Sequence, residues 1–244
     1  MTAVSSDTSA IHYNTPIYLQ LREIVRSKIE EGEYPPGTAI PSENDLADTY
    51  GINRITVRNA VNALVNEGML RRVQGKGVFV VGRKVEHRIN VFDGFVSSLT
   101  AGGHTSVRQL SKGVRPAGDK YANIFHISPE DEIYAIKQLV ESDGENVSYD
   151  EMYVPASVVP QLCDIDSSVF SINDIFGFYN INVDLVRQSL EIVECGQKIR
   201  RLLGVADEIA VFLLEFVYYD ESGRAVHAGR SYVRSDKCGF TVHL

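Results

Sequence analysis

The stretch GINRITVRNAVNALVNEGMLRRVQGKGVFV, residues 51–80, decides how this chain is read. After Asn53, apolar residues recur at Val57, Ala60, Val61, Leu64 and Val65, the one-face spacing of a helix, and Gly68 ends it. Asn53 stands where a cap would accept from the first free backbone N–H groups. Arg54 and Arg58 fall four apart, off the apolar stripe or at its margin, with no acid nearby. The run MLRRVQGKGVFV then has strand character on both sides of QGKG, which predicts a small hairpin with a Gly-flanked cationic tip.

Upstream, PSENDLADTYG predicts a short helix capped by Ser42, with Asp45 three residues on and Gly51 closing it. TPIYLQLREIVRSKIEEGEYPPG predicts another, with Pro16 in its first turn and one apolar face at Ile17, Leu21, Ile24, Val25 and Ile29. Three helices, the last two joined by a tight turn, followed by a basic hairpin, predict a winged helix-turn-helix over residues 12–82. In that arrangement the N-terminal turn of the third helix meets base edges. Arg54, Thr56 and Arg58 lie there. An arginine forking onto guanine is worth roughly 1–3 kcal/mol of discrimination. Asn44 and Asn53 suit bases or phosphates, and Lys76 with the N–H groups of Gly75 and Gly77 suits phosphate or the minor groove. With Ser42, Glu43 and Gln74 these complete the candidate DNA contacts.

Charge supports this once it is divided. The 244 residues carry a formal net charge of -8, which alone argues against nucleic acid. Residues 1–84, however, hold 10 basic and 9 acidic side chains, and residues 53–84 hold seven basic residues against Glu67 alone. Local charge governs, because exposed charges beyond a Debye length of about 8 Å are largely screened.

Residues 1–11 predict a disordered lead with neither the basic nor the apolar region of a signal peptide, and no apolar run approaches the roughly 20 residues of a membrane span. A cytoplasmic location is expected, without membrane contact. Cys163, Cys195 and Cys238 have no metal spacing and are expected to be buried free thiols.

Residues 83–89 predict a polar linker and residues 90–244 a second domain. NVFDGFVSSLTAGG predicts a short helix whose first N–H groups, at Gly94, Phe95 and Val96, form a candidate anion site. Two later segments look alike. DEIYAIKQLVESDGENVSYDEMYVP (131–155) and DEIAVFLLEFVYYDESGRAVHAGRSYVRSD (207–236) each begin Asp-Glu-Ile, run as a strand, turn and return. They predict two hairpins and a weak internal repeat. SINDIFGFYNI predicts a helix, NVDLVRQSLEIVE a strand, and CGQKIRRLLGV a helix closed by Gly204. The fold class is α+β, with an antiparallel sheet flanked by helices. The six histidines form no metal spacing, and no nucleophile elbow, Walker loop or dinucleotide fingerprint is present, so no catalytic residue, metal ligand or cofactor is expected.

The elements G…IPSE..LA and G..R.TVR.A...L...G.L.R..GKG.FV make residues 12–82 resemble the DNA-binding domain of GntR-type bacterial transcription regulators. The family often has Ser where this chain has Asn53, and Arg or Lys at Asn44, both near base edges. Residues 90–244 resemble the UTRA effector domain of the HutC subfamily, whose fold is similar to chorismate lyase, on DGENVSYDEMYVP, LLGV and SGRAVHAGRSYVRSDKCGF. The resemblance implies a homodimeric regulator, a repressor, binding a two-fold symmetric double-stranded DNA operator and answering to a small-molecule effector. It also implies effector contacts at Gly94, Phe95, Val96, Gln138, Asp150, Ser168, His227 and Ser231. The family's Arg-x-Arg is replaced by Gln138 and Val140, its glutamate by Asp150, an acid by His227 and a tyrosine by Val233. Two alternatives stay open: a regulator with no small-molecule effector, and an enzyme using the lyase-like domain.

Overall fold

The computed structural model describes residues 15–82 and 105–238. The expected lead, the linker and the helix carrying Gly94, Phe95 and Val96 lie outside them. The chain divides into two compact units at Val81/Gly82.

The first unit has helices α1 (Ile17–Glu30), α2 (Glu43–Tyr50) and α3 (Arg54–Asn66) and the hairpin β1 (Leu70–Val73) and β2 (Gly77–Val80). Its core gathers Leu21 and Val25 of α1, Leu46 of α2, the stripe Val57, Ala60, Val61 and Leu64 of α3, and Leu70, Val78 and Val80 of the hairpin. Truncating a side chain as enclosed as Leu64 to alanine costs about 2–5 kcal/mol. The expected face of α1 needs correction, since Ile17 and Ile24 are exposed. The buried row steps through Tyr18, Leu21, Val25 and Ile29, spaced 3, 4 and 4, and positions 17 and 24 fall beside it.

The second unit is a six-stranded antiparallel sheet in the order β3-β4-β5-β8-β7-β6. Its elements are β3 (Thr105–Pro116), α4 (Gly118–Phe125), β4 (Glu132–Ser142), β5 (Glu145–Pro155), α5 (Ile172–Phe178), β6 (Val183–Val193), α6 (Gln197–Leu203), β7 (Val211–Asp220) and β8 (Ala225–Arg234). β3 and α4 have no counterpart in the sequence-based expectations. With them, the suspected repeat becomes a whole unit: strand, helix, hairpin, once as β3-α4-β4-β5 and again as β6-α6-β7-β8. The halves meet where β5 pairs β8, and each helix packs across the join. α4 lies against β8, and α6 against β5. Tyr121, Ala122 and Phe125 of α4 pack with Tyr153 and Ala228. Leu203 of α6 packs with Leu139, Tyr149 and Val211.

Both helices share one face of the sheet. The other is approached by the segment between β5 and β6. There Tyr134 donates to the Pro160 carbonyl and Lys112 to the Ile165 carbonyl. Cys195 and Cys238 are buried as expected, but Cys163 is exposed. It sits in a one-turn 3₁₀ helix, Leu162–Asp164, whose Leu162 points inward and leaves its neighbour outside.

Candidate nucleic-acid interface and effector site

The start of α3 is built by two caps in succession. Ser42 Oγ accepts from the Asp45 N–H at 3.2 Å and Asp45 Oδ2 accepts in return from the Ser42 N–H at 3.1 Å, a reciprocal box that fixes α2. Gly51, at φ 62°, adopts the left-handed turn that lets the chain leave α2. Asn53 Oδ1 then accepts from both the N–H and the Oγ of Thr56, at 2.8 and 3.0 Å. Ser42, Asn53 and Thr56 are therefore engaged in caps, and of Asn53 the amide Nδ2 is left for an outside acceptor.

The arginines stand out from this frame. Their side chains are 65% exposed at Arg54 and 62% at Arg58. Beneath them lies Glu43, its side chain only 10% exposed, 3.6 Å from Arg54, 3.9 Å from Arg58, and accepting from Arg72 Nη2 of the hairpin at 2.8 Å. One carboxylate thus joins α2, α3 and β1. A carboxylate so enclosed is poorly placed to meet phosphate, and its geometry is that of an anchor for three cations. Ile55, which the helical stripe gave no reason to single out, is 73% exposed between the arginines. It fits contact with a thymine methyl group. Asn44 is exposed. In the hairpin, the Lys76 N–H donates to the Val73 carbonyl at 3.1 Å, and Gly75 at φ 75° supplies the positive angle at the turn's third position. Gln74, Gly75, Lys76 and Gly77 are all exposed.

In the second unit, Gln138, Asp150 and Ser231 occupy one cross-strand row, Gln138 opposite Asp150 and Asp150 opposite Ser231. Asp150 is 3% exposed. Gln138 Nε2 donates to its Oδ2 at 3.3 Å, Ser148 Oγ to its Oδ1 at 3.0 Å, and Ser231 adds a further side-chain bond. Burial raises its pKa against the pull of these hydrogen bonds. Ser148 was not among the expected contacts. Its position two residues before Asp150, on the same strand face, was the available signal.

The remaining expected residues are more dispersed. Ser168 lies in the loop before α5, its N–H and Oγ both on Asp166 Oδ1. The adjacent Ser167 donates to Gln109 at 2.7 Å, and Gln109 pairs in register with Gln138, so this loop reaches the outer end of the row. His227 is four residues along β8 from Ser231, about 13 Å at roughly 3.3 Å per residue. It is 1% exposed and boxed by Phe176, Phe216 and Tyr218 at ring-centroid distances of 6.1, 5.1 and 5.0 Å. Neither ring nitrogen has a partner, and desolvation pushes its pKa down to about 3. Between the two, Gly229 admits no side chain, because a Cβ would stand 2.6 Å from the Glu151 carbonyl and 2.6 Å from the Phe216 ring.

A cleft of about 400 Å³ opens on the other face, lined by Lys120, Tyr121, Tyr153, Arg187, Glu215 and Arg230 among others. None of the expected effector residues lines it. On this face Glu151 behaves unlike its neighbour Asp150. Burial works to raise its pKa, but bonds from Tyr149 at 2.8 Å and Arg230 at 2.7 Å, with Lys137 3.7 Å away, hold it low. Among the described residues no group of three or more His, Cys, Asp or Glu could hold a metal ion, and no helix is long and apolar enough to cross a membrane.

Comparison with known proteins matches residues 17–80 to bacterial regulatory proteins of the gntR family and residues 100–238 to the UTRA domain. The HTH-type transcriptional repressor NagR of Bacillus subtilis (strain 168) is 26% identical over 232 residues, covering 94% of this chain and 95% of the relative. The HTH-type transcriptional regulator GgaR of Escherichia coli (strain K12) is 26% identical over 224 residues, 91% of this chain and 89% of the relative. The crystal structure of PhnF from Mycobacterium smegmatis shares the fold with a TM-score of 0.59 at 19% identity, covering 94% of this chain and 99% of that one. The exposed arginines on a capped helix, the basic hairpin beside them and the sheet domain that follows them in the chain thus have one common account: this chain belongs to the gntR family of bacterial regulatory proteins, as a DNA-binding, ligand-responsive transcription regulator with a C-terminal UTRA domain.

Proposed function

We propose that the chain is a repressor of the HutC type, acting in the cytoplasm as a homodimer on a two-fold symmetric operator and released by a small metabolite. The observation that carries the DNA-binding role is the group formed by Arg54, Ile55 and Arg58, exposed at the start of α3 with Glu43 beneath. In this reading Arg58 and Arg54 read guanine, Ile55 reads a thymine methyl group, and Lys76 with its flanking glycines tracks phosphate or the minor groove. Glu43 does not touch DNA. It is a positioning residue that holds the arginine stems where they can fork.

The relative NagR carries the word repressor in its name, which supports the same sign of regulation here. Strand β6 supports the homodimer: it ends the sheet, and Leu185, Leu190 and Ile192 are exposed along it. The effector binds on the sheet face of the Gln138–Asp150–Ser231 row and favours one placement of the DNA-binding heads through differential affinity alone. The domain is a receptor for this ligand and does not turn it over.

The test begins with selection of an operator from random duplexes by the full chain. Arg58→Ala is then expected to lose about tenfold or more in operator affinity with little change on unrelated duplex. Unchanged operator preference in that variant overturns the role of α3.

A further inference from the structure

Asp150 and Glu151 are neighbours in sequence with opposite surroundings. Glu151, on the helix-covered face, receives Arg230 and lies beside Lys137. Asp150, on the other face and 3% exposed, receives only uncharged donors from Gln138, Ser148 and Ser231. Among the described residues no cation lies within ion-pair distance of it. Lys112, on β3 two residue pairs from Gln138, is directed to the Ile165 carbonyl. Val140, at the second position of the family's arginine pair, is fully buried and apolar.

What is left unpaired in this row is an acceptor. Gln138 Nε2 is used on Asp150, while Gln138 Oε1 is buried with no donor. A buried carboxyl lacking a counter-cation and a buried carbonyl lacking a donor, side by side, ask the same thing of an incoming molecule: hydrogen-bond donors carrying positive charge. An anionic ligand would bring a second negative group beside the first, and nothing in the row would offset it.

We propose that the effector is a primary amine whose protonated nitrogen lies between Asp150 and Gln138 Oε1. This rests on the row being the effector site. An ammonium has three donors and no acceptor, which matches one oxygen of the Asp150 carboxyl, the Gln138 carbonyl and a third acceptor brought by the molecule itself or by water. The replacement of an arginine pair by Gln138 and Val140 then reads as a change in the sign of the ligand.

The experiment is a thermal-shift and calorimetric panel on the full chain, with primary amines, neutral sugars and phosphorylated sugars, including glucosamine, N-acetylglucosamine and N-acetylglucosamine 6-phosphate as matched probes. Asp150→Asn keeps the shape, removes the carboxylate charge and turns one of the two accepting oxygens into a donor. Amines are expected to stabilise the wild type and to lose about 30-fold or more in affinity in this variant, the effect of removing one partner of a buried charge pair. Neutral or phosphorylated probes that bind the wild type and keep their affinity in Asp150→Asn, but lose it in Gln138→Leu, overturn the amine and leave the site intact. Binding that survives both changes and falls with Arg187→Ala assigns the ligand to the cleft on the opposite face and overturns the site. Failure of every class to bind overturns the site reading and the amine with it.

Discussion

Replacing His227 by leucine is expected to flatten the acid sensitivity of the second unit. The imidazole is 1% exposed among Phe176, Phe216 and Tyr218, and its folded pKa is depressed to about 3. In the unfolded chain it titrates near its ordinary value of about 6.5. The folded state therefore keeps it neutral while the unfolded state takes up a proton. Its stabilising contribution is complete above about pH 6.5 and is lost progressively as pH falls toward about 3. Between pH 7.5 and pH 5.0 the loss from this one group is on the order of 2 kcal/mol by proton linkage. With a urea slope of about 2 kcal/mol/M that is a midpoint shift of roughly 1 M. The assay is urea unfolding of the full chain followed by near-ultraviolet circular dichroism of tyrosine. The chain has no tryptophan, and tyrosines are concentrated in the second unit. Leucine has nearly the volume of histidine and removes two unpartnered nitrogens, so stability at pH 7.5 should be equal or greater. The variant should lose less between the two pH values than the wild type by the amount calculated. Equal losses in the two proteins, to within about 0.5 kcal/mol, refute a neutral buried imidazole.

The DNA-binding unit supports three further predictions. Lys76→Ala should weaken operator and unrelated duplex alike and reduce the slope of log affinity against log salt by about one, measured by fluorescence anisotropy across a salt series. Glu43→Gln should lower operator affinity and discrimination together while leaving the helical circular dichroism unchanged, because it frees Arg54, Arg58 and Arg72 from their common partner. If discrimination is kept, the anchoring role fails. Replacing thymine by uracil at single operator positions should cost the wild type about 1 kcal/mol at one step and cost Ile55→Ala nothing there. A penalty that persists in Ile55→Ala assigns that methyl contact to another residue.

The first unit was readable because each of its signals is local. Helical spacing, Ser42 and Asn53 as caps, Gly51 as a stop and the Gly-flanked turn act within a few residues. The placement of Glu43 was not, since one of its partners, Arg72, lies 29 residues away. In the second unit the hairpins showed, while β3 did not. An edge strand is wetted on most of its length and shows no clean alternation. Helix α4 has only eight residues, and its apolar positions Tyr121, Ala122 and Phe125 cover a single turn. The row through Gln138, Asp150 and Ser231 needs the register of three strands, which sequence does not supply. The resemblance to a family brought these residues together. Distance along β8 separated His227 from them, and a hydrogen bond to Asp150 from the same strand face added Ser148.

The pairing of β5 with β8, where the two halves of the repeat join, spans six residue pairs, Ser148–Tyr153 against Ala228–Val233, while every other neighbouring pair of strands in the sheet spans nine or more. Asp150 and Ser231 face each other within that short stretch, with Gln138 one strand away. A molecule held by this row therefore grips both halves at once and acts as a rivet through the narrowest part of the sheet. Without it, the central amides near Asp150 and Ser231 should exchange with solvent by the two halves parting, and the ligand should slow that exchange more there than in either hairpin.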